Sequence, residues 1–490
     1  MENNNLSTKV KRATKWSAAA ELLAKLVNPI SSLILARLLT PEAFGIVATI
    51  AMVISFAEIF TDAGFQKYLV QHEFKDEKDK EESTTVAFWS NLVMSLLIWG
   101  IIALFDEHIA TLVGNPGLGY VLTIACVAIP LAAFSSIQSA LYKRALDFKT
   151  LFKVRMLGIA VPILVTIPLA YALRSFWALV IANIVLQVAT AIVLTMYSEW
   201  KPRFFYSFDK LKEMLSFTIW TVIETISIWL TCYVDIFIIG KEMNQYYLGL
   251  YKTGSTVTGQ ILGIVTATTT PILFSSLSRL QSDNSAFENL YLKFEKLAGL
   301  LLIPMGVGIY CYSDFITSIL LGEQWFEASG FIGLWGVTTA FAILFAQYPS
   351  EVFRAKGKPK LSVLGQWLHI IALVPVVYWG VKYGFEFLYT VRSAVRVEYM
   401  MVQMGILFFA FHMSIKKMLL NVTPSCIASI AMLAVSFLLK TISDSIVWTC
   451  LSIVLCAMVY LLIILLFKEE RNIIMGQFVS KMFYKIRSKR

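Results

Sequence analysis

The sequence predicts an all-α integral membrane protein of about fourteen transmembrane helices, built as two parallel six-helix repeats around a central cavity with two extra C-terminal helices. Three observations predict it. Of the 490 residues, 58% are hydrophobic and only 15% charged, against roughly 45–50% and 25% in an average soluble domain. The apolar residues fall in runs long enough to cross a hydrocarbon layer about 30 Å thick at about 1.5 Å per residue. Segments of the first half also recur in the second at a nearly constant offset. The runs are continuous rather than alternating, so they read as helices and not as barrel strands.

In chain order the runs cover 16–38, 43–66, 86–105, 119–140, 151–172, 176–198, 213–239, 246–274, 296–313, 328–347, 361–382, 385–412, 422–439 and 446–467. The first follows a leader containing Lys9, Lys11, Arg12 and Lys15 and carries Glu21 and Lys25 inside it. It is too long and too charged for a cleaved signal peptide and is expected to be retained. An even number of crossings places both termini on one side. The basic residues agree with this: with the N-terminus inside, 33 of the 42 Lys and Arg residues fall in inner segments, as short cytoplasmic loops require. The net charge of +10 then reflects this asymmetry and attraction to anionic lipid, so no nucleic-acid partner is expected. The stretch Lys481 to Arg490 reads as an interfacial amphipathic tail or a protein-docking tail.

The repeat lays "LARLLTPEAFGIV", from Leu35, over "IGKEMNQYYLGLY", from Ile239, at an offset of 204 residues. Arg37 then meets Lys241, and Gly45 meets Gly249. An offset of 208 to 210 pairs "GNPGL", from Gly114, with "GEQWF", from Gly322, and Arg144-Ala145 with Arg354-Ala355. Because the offset contains six helices, the copies enter the membrane in the same direction, and transporters of this kind place substrate at the repeat interface. The expected divisions are an N-terminal lobe at 1–205, a C-terminal lobe at 206–413, and helices 13 and 14 with a basic cytoplasmic tail at 414–490.

Ionisable residues inside the spans are the functional candidates, since each costs roughly 2.5–3.5 kcal/mol at mid-bilayer on insertion scales. Glu21 and Lys25 lie one turn apart and suit a mutually neutralising pair. Glu58 and Asp62 lie one turn apart in the second span. Their like charges favour proton binding, and a salt bridge to Lys25 explains one of them equally well. Glu224 and Asp235 lie in the seventh span, where packing by hydrogen bonds is the alternative for Glu224. Lys252, Arg392 and Arg396, with Lys25, form a candidate cationic surface for a lipid diphosphate, because the planar guanidinium fork can donate two parallel hydrogen bonds to phosphate. Snorkelling and pairing with Glu398 is the alternative for the two arginines. The eighth span is rich in hydroxyls, including Thr253, Ser255, Thr256, Thr258 and the run Thr268 to Thr270, which suits either a sugar-facing wall or interhelical hydrogen bonds. Pro29, Pro130, Pro162, Pro271, Pro304 and Pro375 can bend their helices.

The six cysteines all lie in apolar segments and form no CxxC pair, so neither a disulfide framework nor a metal site is expected. No GxxxxGK[ST] motif is present, which excludes nucleotide hydrolysis through a P-loop of the chain's own. No cofactor is expected. The outer connections leave no obvious room for the chemistry of a membrane glycosyltransferase or polymerase.

The segment "LARLLTPEAFGIVATIAMVISFAEIFTDAGFQKYLVQ", Leu35 to Gln71, resembles the start of Wzx-type polysaccharide flippases, particularly the colanic acid and teichuronic acid exporter branch. "LLGEQW", Leu320 to Trp325, is similar to the short outer turn of such proteins. The resemblance places the chain in the multidrug/oligosaccharidyl-lipid/polysaccharide exporter superfamily. It implies a bacterial inner-membrane protein that flips undecaprenyl-diphosphate-linked oligosaccharide outward, coupled to a proton or sodium gradient, with a cationic cavity. The expectation is therefore a transporter and not an enzyme, with Lys25, Lys252, Arg392 and Arg396 binding substrate. Glu21, Glu58, Asp62, Glu224 and Asp235 are the ion-coupling candidates. A multidrug/cation antiporter of the same fold and a membrane glycosyltransferase or polymerase are the alternatives.

Overall fold

The computed structural model describes residues 27–62 and 64–473, with 16, 23 and 24; the tail from Lys481 to Arg490 falls outside them. Among the described residues the chain is helical and contains no strand. The principal helices are α1 (Val27–Leu38), α2 (Pro41–Asp62), α3 (Glu77–Leu104), α4 (Gly119–Arg144) and α5 (Phe148–Leu173). They continue as α6 (Trp177–Tyr197), α7 (Phe208–Glu242), α8 (Gln245–Ser278), α9 (Asn284–Cys311) and α10 (Glu323–Ala355). The chain ends in α11 (Lys360–Tyr383), α12 (Phe385–Phe411), α13 (Ile415–Lys440) and α14 (Ile446–Ile464). Twelve helices among the described residues are long and apolar enough to cross a membrane. The other two expected spans fall on α1, an apolar helix described from Val27 onward, and on α7. The latter runs for 35 residues, past both ends of the predicted 213–239.

Local chemistry sets several helix starts. Asp76, Asp147 and Asp283 accept from the backbone N–H groups of Asp79, Thr150 and Ala286 at 2.7, 3.2 and 2.9 Å, which satisfies a donor that the first helical turn leaves free. Ser414 and Ser445 cap α13 and α14 in the same way. Within α5 and α10 the ladder slips into π-helical turns at Pro162–Thr166 and Ile343–Gln347. Proline lacks an N–H, so the slip at Pro162 has a local cause.

Contacts divide the chain into two compact units. The first comprises 1–253, 320–325 and 373–388, the second 254–319, 326–372 and 389–490. In the first unit Ile50, Ile102, Val121, Cys126, Ile129 and Val180 form a buried core where α2, α3, α4 and α6 meet. In the second, Tyr312, Met432, Cys456, Tyr460 and Ile464 form another, chiefly between α9, α13 and α14. Large apolar side chains such as Leu104, Phe409 and Leu466 are exposed, as expected of surfaces that meet lipid tails.

The repeat is visible as reciprocal packing inside the first unit. A Cβ added at Gly45 would stand 1.9 Å from the carbonyl oxygen of Gln245, and one added at Gly249 would stand 1.8 Å from that of Pro41. The 204-residue offset carries Pro41 onto Gln245 and Gly45 onto Gly249, so each copy offers the same glycine to the same position of the other. The following loops repeat the pattern. Gly114 approaches Gly240, leaving 1.7 Å between an added Cβ and its oxygen, while the shifted equivalent Gly322 lies beside Arg37. Two segments that contact each other through equivalent residues are related by a local two-fold axis.

The "LLGEQW" element fastens this region. The Trp325 indole N–H and one amide hydrogen of Gln324 both donate to Ala36 O at 2.7 Å, and Gln324 also donates to Leu39 O at 2.9 Å. These carbonyls lie at the C-terminal end of α1, where helix geometry leaves acceptors free. Trp325 is fully buried and meets the Phe44 ring edge-on at 5.3 Å. Trp325→Ala is expected to cost about 3–5 kcal/mol through the lost burial and the cavity left behind. The check is the fall in unfolding temperature of the detergent-solubilised protein.

Glu107 orders a neighbouring loop. Its carboxylate accepts from the backbone N–H groups of Gly117 at 2.6 Å and Gly119 at 3.1 Å, and these bonds hold its pKa below the ordinary carboxylate range. A depressed pKa means the carboxylate supports the loop above the ordinary range and releases it as pH falls through the lowered value. Hydrogen exchange at Gly117 and Gly119 is therefore expected to lose protection in acid, and Glu107→Ala to lose it at every pH.

Candidate functional site: an arginine pair on tryptophan and a polar cavity

In the second unit α12 carries Arg392 and Arg396 one helical turn apart, so both side chains leave the same face. They converge on one aromatic ring of α10. The guanidinium carbon of Arg396 lies 3.4 Å and that of Arg392 5.1 Å from the centroid of the Trp335 indole. Both fall within the roughly 6 Å over which a cation is attracted to a ring face. Arg396 also donates to the Thr339 hydroxyl, one turn beyond Trp335. Arg392 is buried, with 6% of its surface exposed. Glu398, the carboxylate the sequence offers to these arginines, bonds the His369 ring at 2.8 Å. The pair can hold a planar array of donors against a ligand with several phosphate oxygens.

The first unit holds the remaining described candidates. Asp235 is buried and accepts from the Tyr251 hydroxyl at 2.6 Å. The Lys252 ammonium lies 5.9 Å from the Tyr233 ring centroid. Glu58 is half-buried and lines a cavity of about 460 Å³ between α2, α3, α4 and α7, together with Thr61, Asn91, Ser136, Trp229 and Tyr233. Asn91 donates to Ser136 at 2.6 Å. Trp229 also borders a second, apolar groove that continues over Phe56, Phe60, Met94 and Ile101.

The structure thus brings Arg392 and Arg396 together on Trp335, and places Lys252, Glu58 and Asp235 in the first unit. Glu21 and Lys25 fall outside the described residues, as do the side chains of Asp62 and Glu224. The hydroxyls of α8 are divided in role. Thr258 and Thr268 donate to carbonyls of their own helix, and Thr269 bonds the Tyr348 hydroxyl at 2.6 Å. Sequence reasoning missed Trp335, Asn91 and Trp229. Asn91 carried a usable signal, as an amide inside an apolar run; the two tryptophans are inconspicuous among the 12 of the chain.

Residues 34–330 match the family described as polysaccharide biosynthesis protein. The chain is 24% identical over 327 residues to the succinoglycan biosynthesis transport protein ExoT of Rhizobium meliloti, covering 66% of this chain and 65% of that protein's length. It is 19% identical over 360 residues to the teichuronic acid biosynthesis protein TuaB of Bacillus subtilis, covering 73% and 74%. Among solved structures it is similar to the lipid II flippase MurJ in an inward closed conformation, with a TM-score of 0.76 at 15% identity over 93% of this chain and 99% of that one. At that identity the likeness establishes the fold alone: all-helical and multi-pass.

Proposed function

The chain belongs to the polysaccharide biosynthesis protein family, and from that premise we propose that it flips a diphosphate-linked lipid oligosaccharide across the membrane by alternating access. The observation that carries the proposal is the stacked arginine pair. Two guanidinium groups brought to one indole, on the same helix face, match the charge and oxygen geometry of a diphosphate. The relatives' names, in succinoglycan transport and teichuronic acid biosynthesis, and that of the lipid II flippase support the substrate class.

In this reading Arg392 and Arg396 take the diphosphate, and the lipid chain stays in the bilayer. The protein is a transporter rather than an enzyme. Its lobes divide at 205/206 and 413/414, it resides in the bacterial inner membrane, and both termini are cytoplasmic. A proton or sodium ion at Glu21, Glu58, Asp62, Glu224 or Asp235 biases the exchange between inward and outward states, because an ion shifts a two-state equilibrium only by binding one state more tightly.

The substrate assignment is tested by titrating the nanodisc-embedded protein with undecaprenyl diphosphate and undecaprenyl monophosphate. Tighter binding of the diphosphate by about tenfold, equivalent to about 1.4 kcal/mol, is expected. Equal affinity for the two would remove the arginine pair's assigned role. Ion coupling is tested by neutralising the five carboxylates singly and together. Translocation that still responds to the gradient in the combined variant would exclude them as the coupling site.

A further inference from the structure

The cavity of the first unit presents one unmet hydrogen-bond donor and one unmet acceptor. Asn91 is 1% exposed, its amide nitrogen engaged by Ser136, and its Oδ1 has no partner. The Trp229 indole N–H is buried and also has none. A buried polar atom left unpaired costs about 1–3 kcal/mol, so two lining one cavity point to something that satisfies both. An anion accepts only and leaves Asn91 Oδ1 unmet; an organic cation accepts nothing and leaves the indole N–H unmet. A hydroxyl both donates and accepts, and a ligand carrying several would meet the pair together with Ser55, Thr61, Ser136 and Glu58.

The aromatic wall supports the same chemistry. Trp229 stacks on Tyr233, with centroids 5.4 Å apart and planes 25° apart, and leans on Phe56 at 4.8 Å. A flat indole beside a row of polar groups suits a sugar ring, which has an apolar C–H face and a polar edge. Lys67 lines the cavity with Glu58 and offsets its charge, and Lys252 approaches the Tyr233 ring, so the wall carries no excess negative charge to form a cation cage. The volume of about 460 Å³ falls in the roughly 300–1,000 Å³ range of small-molecule sites.

We propose that this cavity is a binding site for uncharged sugar units, with Trp229 as the stacking platform and Asn91 as the acceptor that fixes the hydroxyl edge. The site deepens the flippase reading and rests on it for its physiological role. It gives the oligosaccharide a place within the first unit, where the adjoining apolar groove shares Val222 and Trp229 with the cavity. Occupancy of the cavity by a free sugar is measurable whether or not the protein moves a lipid.

Cys232 lines the cavity and is exposed, whereas Cys450 is exposed on α14 outside it, so alkylation of the two thiols reads occupancy in the unmodified protein. With purified full-length protein in detergent, lactose is expected to slow N-ethylmaleimide labelling of Cys232 by about threefold at twice the dissociation constant, leaving Cys450 unchanged. Trp229→Phe keeps the ring and loses the donor, and is expected to weaken the protection several-fold; Asn91→Leu is expected to remove it. Unfolding temperature and elution volume check that both variants fold. Absence of lactose protection in the wild type, equal protection in both folded variants, or protection by tetramethylammonium or pyrophosphate in place of lactose would each overturn the assignment. Failure of lipid translocation with lactose protection intact would remove the flippase reading and leave the sugar site standing.

Discussion

Gly249→Val is expected to prevent α8 from seating against the start of α2 and to remove most of the folded protein. A Cβ at this position would meet a backbone carbonyl oxygen at 1.8 Å, and a backbone oxygen cannot swing aside as the end of a flexible side chain can. Overpacking ordinarily costs about 1–3 kcal/mol, and a clash with backbone on both sides of a crossing belongs at or above the upper end. Gly45→Val is expected to behave alike, because the reciprocal contact gives it the same environment. The double variant should be less destabilised than the sum, since the first substitution already breaks the crossing. Gly100, whose added Cβ meets nothing within 4 Å, is the control. Gly100→Ala is expected to be neutral or to stabilise by about 0.5–1 kcal/mol. Folded yield and unfolding temperature of the four variants decide the matter.

Arg396→Ala is expected to cut affinity for a lipid diphosphate by tenfold or more, since a hydrogen bond to a charged group contributes about 1.5–3 kcal/mol. Arg396→Lys restores the charge and loses the fork and the stacking plane, so it should recover affinity for a monophosphate more fully than for a diphosphate. Arg392 lies farther from the indole and is expected to show the smaller effect. Calorimetric titration of nanodisc-embedded protein measures all three. A purely structural role for Arg396 would instead lower the unfolding temperature and leave the ratio of diphosphate to monophosphate affinity unchanged.

Helix positions were legible in the sequence because a spanning helix must be apolar over its whole length, and few other structures share that pattern. The exceptions have physical causes. The polar N-terminal ends of α7 and α3 carry Lys210 and the carboxylates Asp79 and Glu82, both of which pair with it. A hydropathy threshold therefore starts those helices too late. The π-helical turn at Ile343–Gln347 leaves no mark in composition. The repeat was legible because equivalent contacts demand equivalent residues. Gly45 and Gly249 recur for a steric reason, which is why a faint alignment identified positions that now prove to pack reciprocally.

The site was legible in part. Charged residues inside apolar runs stand out, so Arg392, Arg396, Glu58 and Asp235 were visible at once. Their partners were not, because a tryptophan that carries an arginine and a tryptophan that faces lipid look alike in a sequence. The pairing of Glu398 with His369 illustrates the same limit, since spacing along one helix cannot say which neighbouring helix supplies a partner. Asp235 and Tyr251 lie on consecutive helices, and only packing brings them within a hydrogen bond.

The central claim is tested most directly by following a fluorescent undecaprenyl-diphosphate oligosaccharide in sealed proteoliposomes, with wild-type protein and with Arg396→Ala, with and without a proton gradient. The account predicts protein-dependent exposure of the label on the opposite face, slowed by the substitution. Sealed vesicles with intact wild-type protein that expose no lipid-linked sugar would contradict it.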